Sequence, residues 1–315
     1  MNKLVSILVI SYNSSEYILQ TLESIKNQTY QNIELIISDD CSKDNTVTVA
    51  KEWLKENHSR FIRSEICASP VNEGVAKNLN KGAKLCGGYY IKIIAADDIL
   101  DAQCIENNYN ECEKHGYRVL YSKIKVFYGN DTDNMKDFDD KDRLKYFNYT
   151  AQEQNKVLSY KHFPNTVTFF VEKKLLADLD YFDERFKFME DHPLEFKMTE
   201  KGIKLNFFDC TTVYYRIHPD SLCHSSDSKI VGNTNFYSSR RLFFYKVRLE
   251  KLLQNGYFYK VYSELIIYIY KDLVIFFGNK KNILTTSLKV ILLLDPEKFA
   301  AEIKKINDKC KLNAN

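Results

Sequence analysis

No two of the eight cysteines form a Cys-x-x-Cys pair, so the chain lacks the spacing of a zinc ribbon or a dithiol redox site. Cys41, Cys67, Cys86, Cys104, Cys112, Cys210, Cys223 and Cys310 stand singly and read as free thiols of a reducing cytoplasm. Glycine-built nucleotide signatures are also missing. Neither G-x-x-x-x-G-K-[ST] nor G-x-G-x-x-G occurs, which argues against a P-loop NTPase and a nicotinamide enzyme. The absence of G-x-S-x-G removes the nucleophile elbow. A formal charge of only +3 over 315 residues gives no reason to expect a nucleic-acid partner. Long apolar runs are scarce: Val261 to Phe277 is interrupted by Glu264, Lys271 and Asp272 before it reaches the length of a membrane span. Leu4 to Ile10 is too short for a signal-peptide core, so the expected location is cytoplasmic. Neither an internal repeat nor a low-complexity segment is found.

What the sequence does contain is ordinary globular material, 44% apolar and 28% charged, enough for one main domain and an extension. Leu4 to Ile10 is an apolar, β-branched run suited to a strand buried on both faces, and Ser15 to Asn27 follows with helical spacing at Ile18, Leu22 and Ile25. The alternation continues with strands at Ile33 to Ser38, Phe61 to Ile66 and Tyr89 to Ala95, and helices at Asn45 to Asn57 and Gly74 to Leu85. This predicts an α/β fold with a mostly parallel central sheet and flanking helices. Further on, a helix over Asp101 to Gly116, a strand over Val119 to Tyr128, an exposed loop over Asn130 to Asp142, and a strand over Thr166 to Val171 are expected. A helix over Leu194 to Lys201 and a strand over Leu205 to Tyr215 complete this part. The expected catalytic domain covers residues 1–225. A helical C-terminal extension covers 226–315, with helices at Phe236 to Asn255, Tyr257 to Phe277, Ile283 to Leu294 and Pro296 to Asp308.

Ligands of such sheets bind beyond the carboxyl ends of the strands, and those ends carry unusual polar residues. Ser11, Tyr12 and Asn13 follow the first strand, Asp39 and Asp40 the second, and Asp97 and Asp98 the fourth. Two adjacent carboxylates repel unless a cation sits beside them, and their oxygens suit Mg²⁺ or Mn²⁺. The plainer alternative is that they stabilise the start of a turn or helix. Asp40 could accept a hydrogen bond from a base N–H, and the ring of Tyr12 could stack on a nucleobase or simply pack. Asp44 or Asn45 would cap the next helix. Glu190 and Asp191 precede a helix in the second half, where one carboxylate could act as general base and the other, or Pro193, help begin the helix. His218 closes another strand, with Arg216 and Ser221 near it, and could meet a diphosphate or its metal.

Taken in order, these segments resemble glycosyltransferase family 2, whose members have the GT-A Rossmann-like fold. The resemblance rests on Val-Ser-Ile-Leu-Val-Ile-Ser-Tyr-Asn, Ser-Ile-Lys-Asn-Gln-Thr-Tyr, Asp-Asp-Cys-Ser-Lys-Asp-Asn-Thr, the stretch Asn72 to Asn78, the Asp97–Asp98 pair, Glu190–Asp191 and His218, covering about residues 4 to 222. It implies an inverting transfer of a sugar from a nucleotide-sugar donor, most often a UDP-sugar, to an acceptor hydroxyl. Ser11, Tyr12, Asn13, Asp40, Asn72, Lys77 and Asp97 would bind the donor. Asp98 and His218 would hold Mn²⁺ or Mg²⁺, and Asp191 would be the base. Lys77 stands where many relatives have Arg, so its diphosphate contact would be a point charge. Ala95 and Ala96 precede Asp97 where many relatives carry another Asp, so modest metal affinity, or a larger share for phosphate contacts, is expected.

The resemblance also implies a saccharide or lipid-linked saccharide acceptor in bacterial surface polysaccharide synthesis. Arg240, Arg241, Lys246 and Arg248 among aromatics in the extension suit peripheral attachment to a membrane, or packing on the catalytic domain or a second copy of the chain. Two rival functions stand beside the transferase. A nucleotidyltransferase usually needs a glycine-rich basic loop that Ser11 to Glu16 lacks, and a non-catalytic binding protein would not need Asp191 as a base.

Overall fold

The structure is a computed structural model that describes residues 2–138, 141–219, 229–297 and 299. The chain divides into two compact units, Met1–His218 and Pro219–Asn315. The boundary expected near Ser225 falls outside the described residues.

The first unit is built on β1 (Val5–Ser11), β2 (Ile33–Asp39), β3 (Arg63–Ala68), β4 (Tyr90–Ala95), β5 (Ile99–Leu100), β6 (Val119–Tyr128), β7 (Lys136–Asp137), β8 (Phe170–Glu172) and β9 (Asn206–Ile217). Its helices are α1 (Ile18–Lys26), α2 (Thr46–Asn57), α3 (Val75–Leu85), α4 (Cys104–His115), α5 (Lys141–Leu144), α6 (Ala151–Leu158), α7 (Lys173–Asp178) and α8 (Asp191–Glu200). The sheet runs β3-β2-β1-β4-β8-β6-β9-β5, with β7 paired to β6.

The first half, β3-β2-β1-β4, is parallel as the alternating pattern predicts. β2 is buried at every position and β1 at all but one, because helices cover both faces. Register decides where the polar residues land. Ser11 lies opposite Asp39, and Ile10 opposite Ala95, so β1, β2 and β4 all end at one level. α3 lies hard against this layer: a Cβ on Gly82 would come within 2.3 Å of Leu8 Cδ1 and 3.0 Å of Ser38 Cβ. Asn78 on the same helix accepts from Ser38 Oγ at 2.6 Å and donates to Ser38 O at 2.9 Å, which locks α3 beside the Asp39–Asp40 turn.

Beyond β4 the sheet is mixed. β8 pairs antiparallel with both β4 and β6, while β6 and β9 run parallel with register shifts between Ser122 and Ile124. Thr166–Thr168, expected as strand, form a 3-10 turn, and the strand starts only at Phe170. Tertiary bonds outweigh the β-propensity there. The buried Lys92 Nζ donates to Val167 O at 2.6 Å, and Thr168 Oγ1 accepts Ser122 N at 3.0 Å. β5 pairs antiparallel with β9, setting Ile99 opposite Tyr214. That pairing draws the segment after β4 onto the end of β9, where Arg216 and His218 lie.

The second unit contains α9 (Thr234–Phe243), a π-helical stretch Phe244–Arg248, α10 (Leu249–Gln254), α11 (Phe258–Phe276) and α12 (Ile283–Ser287). The expected breaks at Gly256 and Gly278 hold positive φ values of 74° and 90°. Glu264, which interrupts the apolar run, is buried and accepts from Arg248 Nη2 at 3.1 Å. Among the described residues no helix is long and apolar enough to cross a membrane. Most of the helix expected over Pro296 to Asp308 falls outside the described residues.

Candidate active site

The site forms where β1, β2 and β4 end together. Ser11 Oγ donates to Asp39 Oδ2 at 2.8 Å, and Ser42 donates to the same carboxylate from N at 2.8 Å and from Oγ at 2.5 Å. Asp39 is therefore the residue that closes the turn. Asp40, 4% exposed, accepts Glu73 N at 2.9 Å and Gly74 N at 2.8 Å, one on each carboxylate oxygen. Each oxygen keeps one further acceptor direction. Tyr12 presents its ring to solvent at 46% exposure. Asn13, at φ 51°, accepts Lys43 N at 2.7 Å and donates its own N–H to Ser42 Oγ at 2.8 Å, so it ties the β1 and β2 loops together. Asp44 accepts Thr46 N at 3.0 Å at the start of α2, whereas Asn45 makes no side-chain cap.

The loop before α3 forms the next wall. Asn72 is exposed there, and Lys77, in the first turn of α3, pairs with Glu73, as does Lys81. A diphosphate contact by Lys77 would require it to leave Glu73. Gly74, at φ 96°, lies against Lys187: Ala76 N donates to Lys187 O at 3.3 Å, and a Cβ on Gly74 would meet that oxygen at 3.0 Å. The segment leading into α8 is thereby docked on the loop that holds Asp40.

The two aspartates after β4 divide differently from the expectation. Asp98, expected to face the metal, is 1% exposed and its Oδ1 accepts Arg216 N at 2.9 Å. Burial first and Asp97 second raise its carboxyl well above the ordinary carboxylate range, against the pull of the Arg216 amide, Lys92 and the Arg216 charge. Asp97 is the one that meets His218, with Oδ2 and Nε2 2.9 Å apart. The reason is the turn after β4: both aspartates lie beyond the strand, where the Arg216 amide takes the Asp98 carboxylate and leaves Asp97 to reach His218. Among the described residues no three of His, Cys, Asp and Glu are grouped to hold an ion alone. One carboxylate with one imidazole still fits Mn²⁺ or Mg²⁺ that takes its remaining ligands from phosphate and water.

Asp191 opens α8. Its Oδ2 accepts Thr166 Oγ1 at 2.9 Å, and its Oδ1 accepts His192 N at 2.7 Å. The carboxyl of Glu190 is raised above its usual range, mainly by burial and next by Asp191. Sequence reasoning missed the neighbours of this pair. His162 Nε2 lies 2.6 Å from Glu195 Oε2 and 3.7 Å from Asp191 Oδ2, and Tyr121 OH donates to Glu195 Oε1 at 3.0 Å. One signal was available: Asp191 and Glu195 are four apart, so a helix puts both carboxylates on one face. Ser221, expected near His218, falls outside the described residues.

A Rossmann-like sheet with acidic strand ends, a half-buried carboxylate at a later helix start and a closing His has the layout of a GT-A transferase. The description "Glycosyl transferase family 2" matches residues 6–178, and the chain belongs to that family. It is 30% identical over 154 residues to "Glycosyltransferase GlyG" of Streptococcus pneumoniae, covering 49% of this chain and 46% of that protein. The chain thus spans about half of GlyG. It is 27% identical over 239 residues to the Escherichia coli "UDP-Glc:alpha-D-GlcNAc-diphosphoundecaprenol beta-1,3-glucosyltransferase WfaP", covering 75% of this chain and 86% of that one. S. aureus TarS 1-349 shares the fold with a TM-score of 0.59 at 20% identity, over 93% of this chain and 79% of that one. That protein has also been solved in complex with UDP and with UDP-GlcNAc.

Proposed function

We propose that the chain is an inverting glycosyltransferase that moves a sugar from a UDP-sugar to a hydroxyl of a saccharide or lipid-linked saccharide, in the synthesis of a bacterial surface polysaccharide. The observation that carries this reading is the convergence of Tyr12, Asp40 and the Asp97–His218 pair at one sheet edge, with the lead-in to Asp191 docked on the loop that binds Asp40. The Tyr12 ring offers a stacking face, and the open acceptor directions of Asp40 suit a uracil N–H. Asp97 and His218 would hold Mn²⁺ or Mg²⁺ against the diphosphate, with Asp98 supporting the turn from beneath. Bound there, the ion would neutralise charge developing on the leaving diphosphate. Asp191 takes the proton from the acceptor hydroxyl as that oxygen bonds to the anomeric carbon and the glycosyl–phosphate bond breaks. Attack from the face opposite the leaving group inverts the centre. The names of WfaP and of the TarS complexes support UDP-sugars as the first donors to try.

Calorimetric titration of the purified chain with UDP, GDP and CDP, with and without Mn²⁺, tests the donor site. UDP is expected to bind, and more tightly with Mn²⁺, while Asp97→Asn removes the Mn²⁺ dependence. Failure of every nucleotide to bind withdraws the reading.

The helical unit adds a proposal about where the acceptor is met. Phe258, Phe276 and Ile283 are exposed at 66%, 79% and 89%, on a unit that also carries Arg240, Arg241 and Lys246. Apolar side chains with nearby cations suit an anionic membrane surface carrying a lipid-linked acceptor. The chain is expected to co-float with anionic vesicles and not with neutral ones. Recovery in the bottom fraction with both counts against attachment.

A further inference from the structure

The cluster around His162 has no part in the donor site, yet it touches the carboxylate assigned as base. We propose that His162, clamped by Glu195 against Asp191, is a positioning residue that keeps the Asp191 carboxylate ionised and aimed. The proposal rests on the reading of Asp191 as base.

The geometry argues for a proton on Nε2. That atom lies 2.6 Å from Glu195 Oε2 and 3.7 Å from Asp191 Oδ2, and a ring nitrogen facing two carboxylates is stable only as a donor. Glu195 cannot swing away. It is 1% exposed, and its other oxygen is held by the OH of Tyr121, itself 1% exposed, at 3.0 Å. The His192 ring stands 4.8 Å from the His162 ring and is anchored through Nε2 to Leu158 O at 2.7 Å, which limits tilting of His162.

Charge accounting over the start of α8 supplies the reason for the clamp. Glu190, Asp191 and Glu195 place three carboxyl groups within one and a half turns. Like charges so close push one another toward protonation, which is fatal to a base. A cation between Asp191 and Glu195 offsets that repulsion, while Glu190, desolvated beside Asp191, takes the neutral form more readily. The groups facing His162 are Glu195, Asp191, Glu190 and His192 on α8 or its lead-in, and Arg143 on α5, with Tyr121 on β6 acting through Glu195. Burial pulls the imidazole down and Arg143 works in the same direction, but Glu195 and then Asp191 outweigh them and push it up to about 9. The ring therefore carries its charge throughout the neutral range.

Histidine-ring NMR on the full chain tests the clamp without any substrate. The His162 resonance, assigned by its loss in His162→Gln, is expected to titrate near 9, and Asp191→Asn to lower that midpoint by about one pH unit. Glu195→Gln should lower it further. A midpoint near the ordinary 6.5, or one that ignores Asp191→Asn, overturns the proposal.

Turnover, read as UDP release from the UDP-sugar that supports transfer, supplies the functional arm. In His162→Gln the acid limb of kcat/KM is expected to move up by about one pH unit, a loss of roughly tenfold below the limb with little change at pH 8. If that variant does not fold, Glu195→Gln serves instead, with its alkaline limb expected to fall from about 9 toward 6.5. A merely structural role for His162 would lower stability and leave both limbs where they were. If Asp191→Asn turns over normally, the base reading fails. If it is inactive while His162→Gln keeps the wild-type limbs, only the positioning proposal fails.

Discussion

Asp191→Asn is expected to lower kcat by about two to four orders of magnitude while leaving the affinity for UDP essentially unchanged. The size of the loss follows from the neighbours, none of which can take over. Glu190 is raised toward its neutral form by burial and by Asp191, so it is a poor proton acceptor near pH 7. Glu195 is already committed to Tyr121 and His162. The substitution keeps the side-chain shape, but it cannot keep the charge. With the amide oxygen kept on His192 N, the NH₂ takes the place of Oδ2, where the Thr166 hydroxyl can turn to accept it but the charge that faced His162 is lost. That loss costs about 1 kcal/mol of stability, too little to unfold the chain and far less than the catalytic loss. Measurement of kcat beside the calorimetric affinity for UDP separates the two effects. Unchanged turnover would remove Asp191 from the base role.

The parts legible in the sequence are those fixed by local pattern. β1, β2 and β4 are apolar runs ending in polar pairs, and the parallel pairing that levels Ser11 with Asp39 follows from the alternation of strand and helix. Where the sheet turns mixed, local pattern stops deciding. Thr166 and Thr168 have strand propensity, yet bonds from Lys92 and Ser122, residues distant in sequence, hold them in a 3-10 turn. β5 is two residues long and exists because β9 pairs with it. At the site, the sequence shows that Asp97 and Asp98 are adjacent, but which one faces His218 depends on the turn after β4, where the distant Arg216 amide takes Asp98. His162 was invisible for the same reason: its partner Glu195 lies 33 residues away.

Arg216→Lys is expected to destabilise the chain by about 3 kcal/mol, or roughly a 10 °C fall in Tm for a unit of this size. Arg216 is fully buried, with Nε donating to Asp97 O at 2.6 Å and Nη2 to Gln20 Oε1 at 2.5 Å. Nη1 donates to Asn130 Oδ1 at 2.9 Å and also to Gly129 O. The guanidinium lies 4.5 Å from the Tyr17 ring centroid and 4.6 Å from that of Phe127. One side chain thus joins α1, the end of β6 and the turn after β4. Replacing a whole buried ion pair with apolar groups can be neutral, but here only the donor is altered and the acceptors stay behind. Lysine keeps the charge but loses the planar fork, so it cannot reach three bearings at once, and its compact ammonium is more costly to desolvate between two aromatic faces. Arg216→Met should be worse still, because four acceptors lose their partner and no charge remains to answer Asp97 and Asp98. The damage should also reach the donor site. With its carbonyl released, Asp97 is no longer held at 2.9 Å from His218, and the Mn²⁺ enhancement of UDP binding should disappear in whatever fraction stays folded. Thermal unfolding together with UDP titration checks both consequences; a lysine variant with unchanged Tm and intact Mn²⁺ dependence would show that the turn holds its shape without the fork.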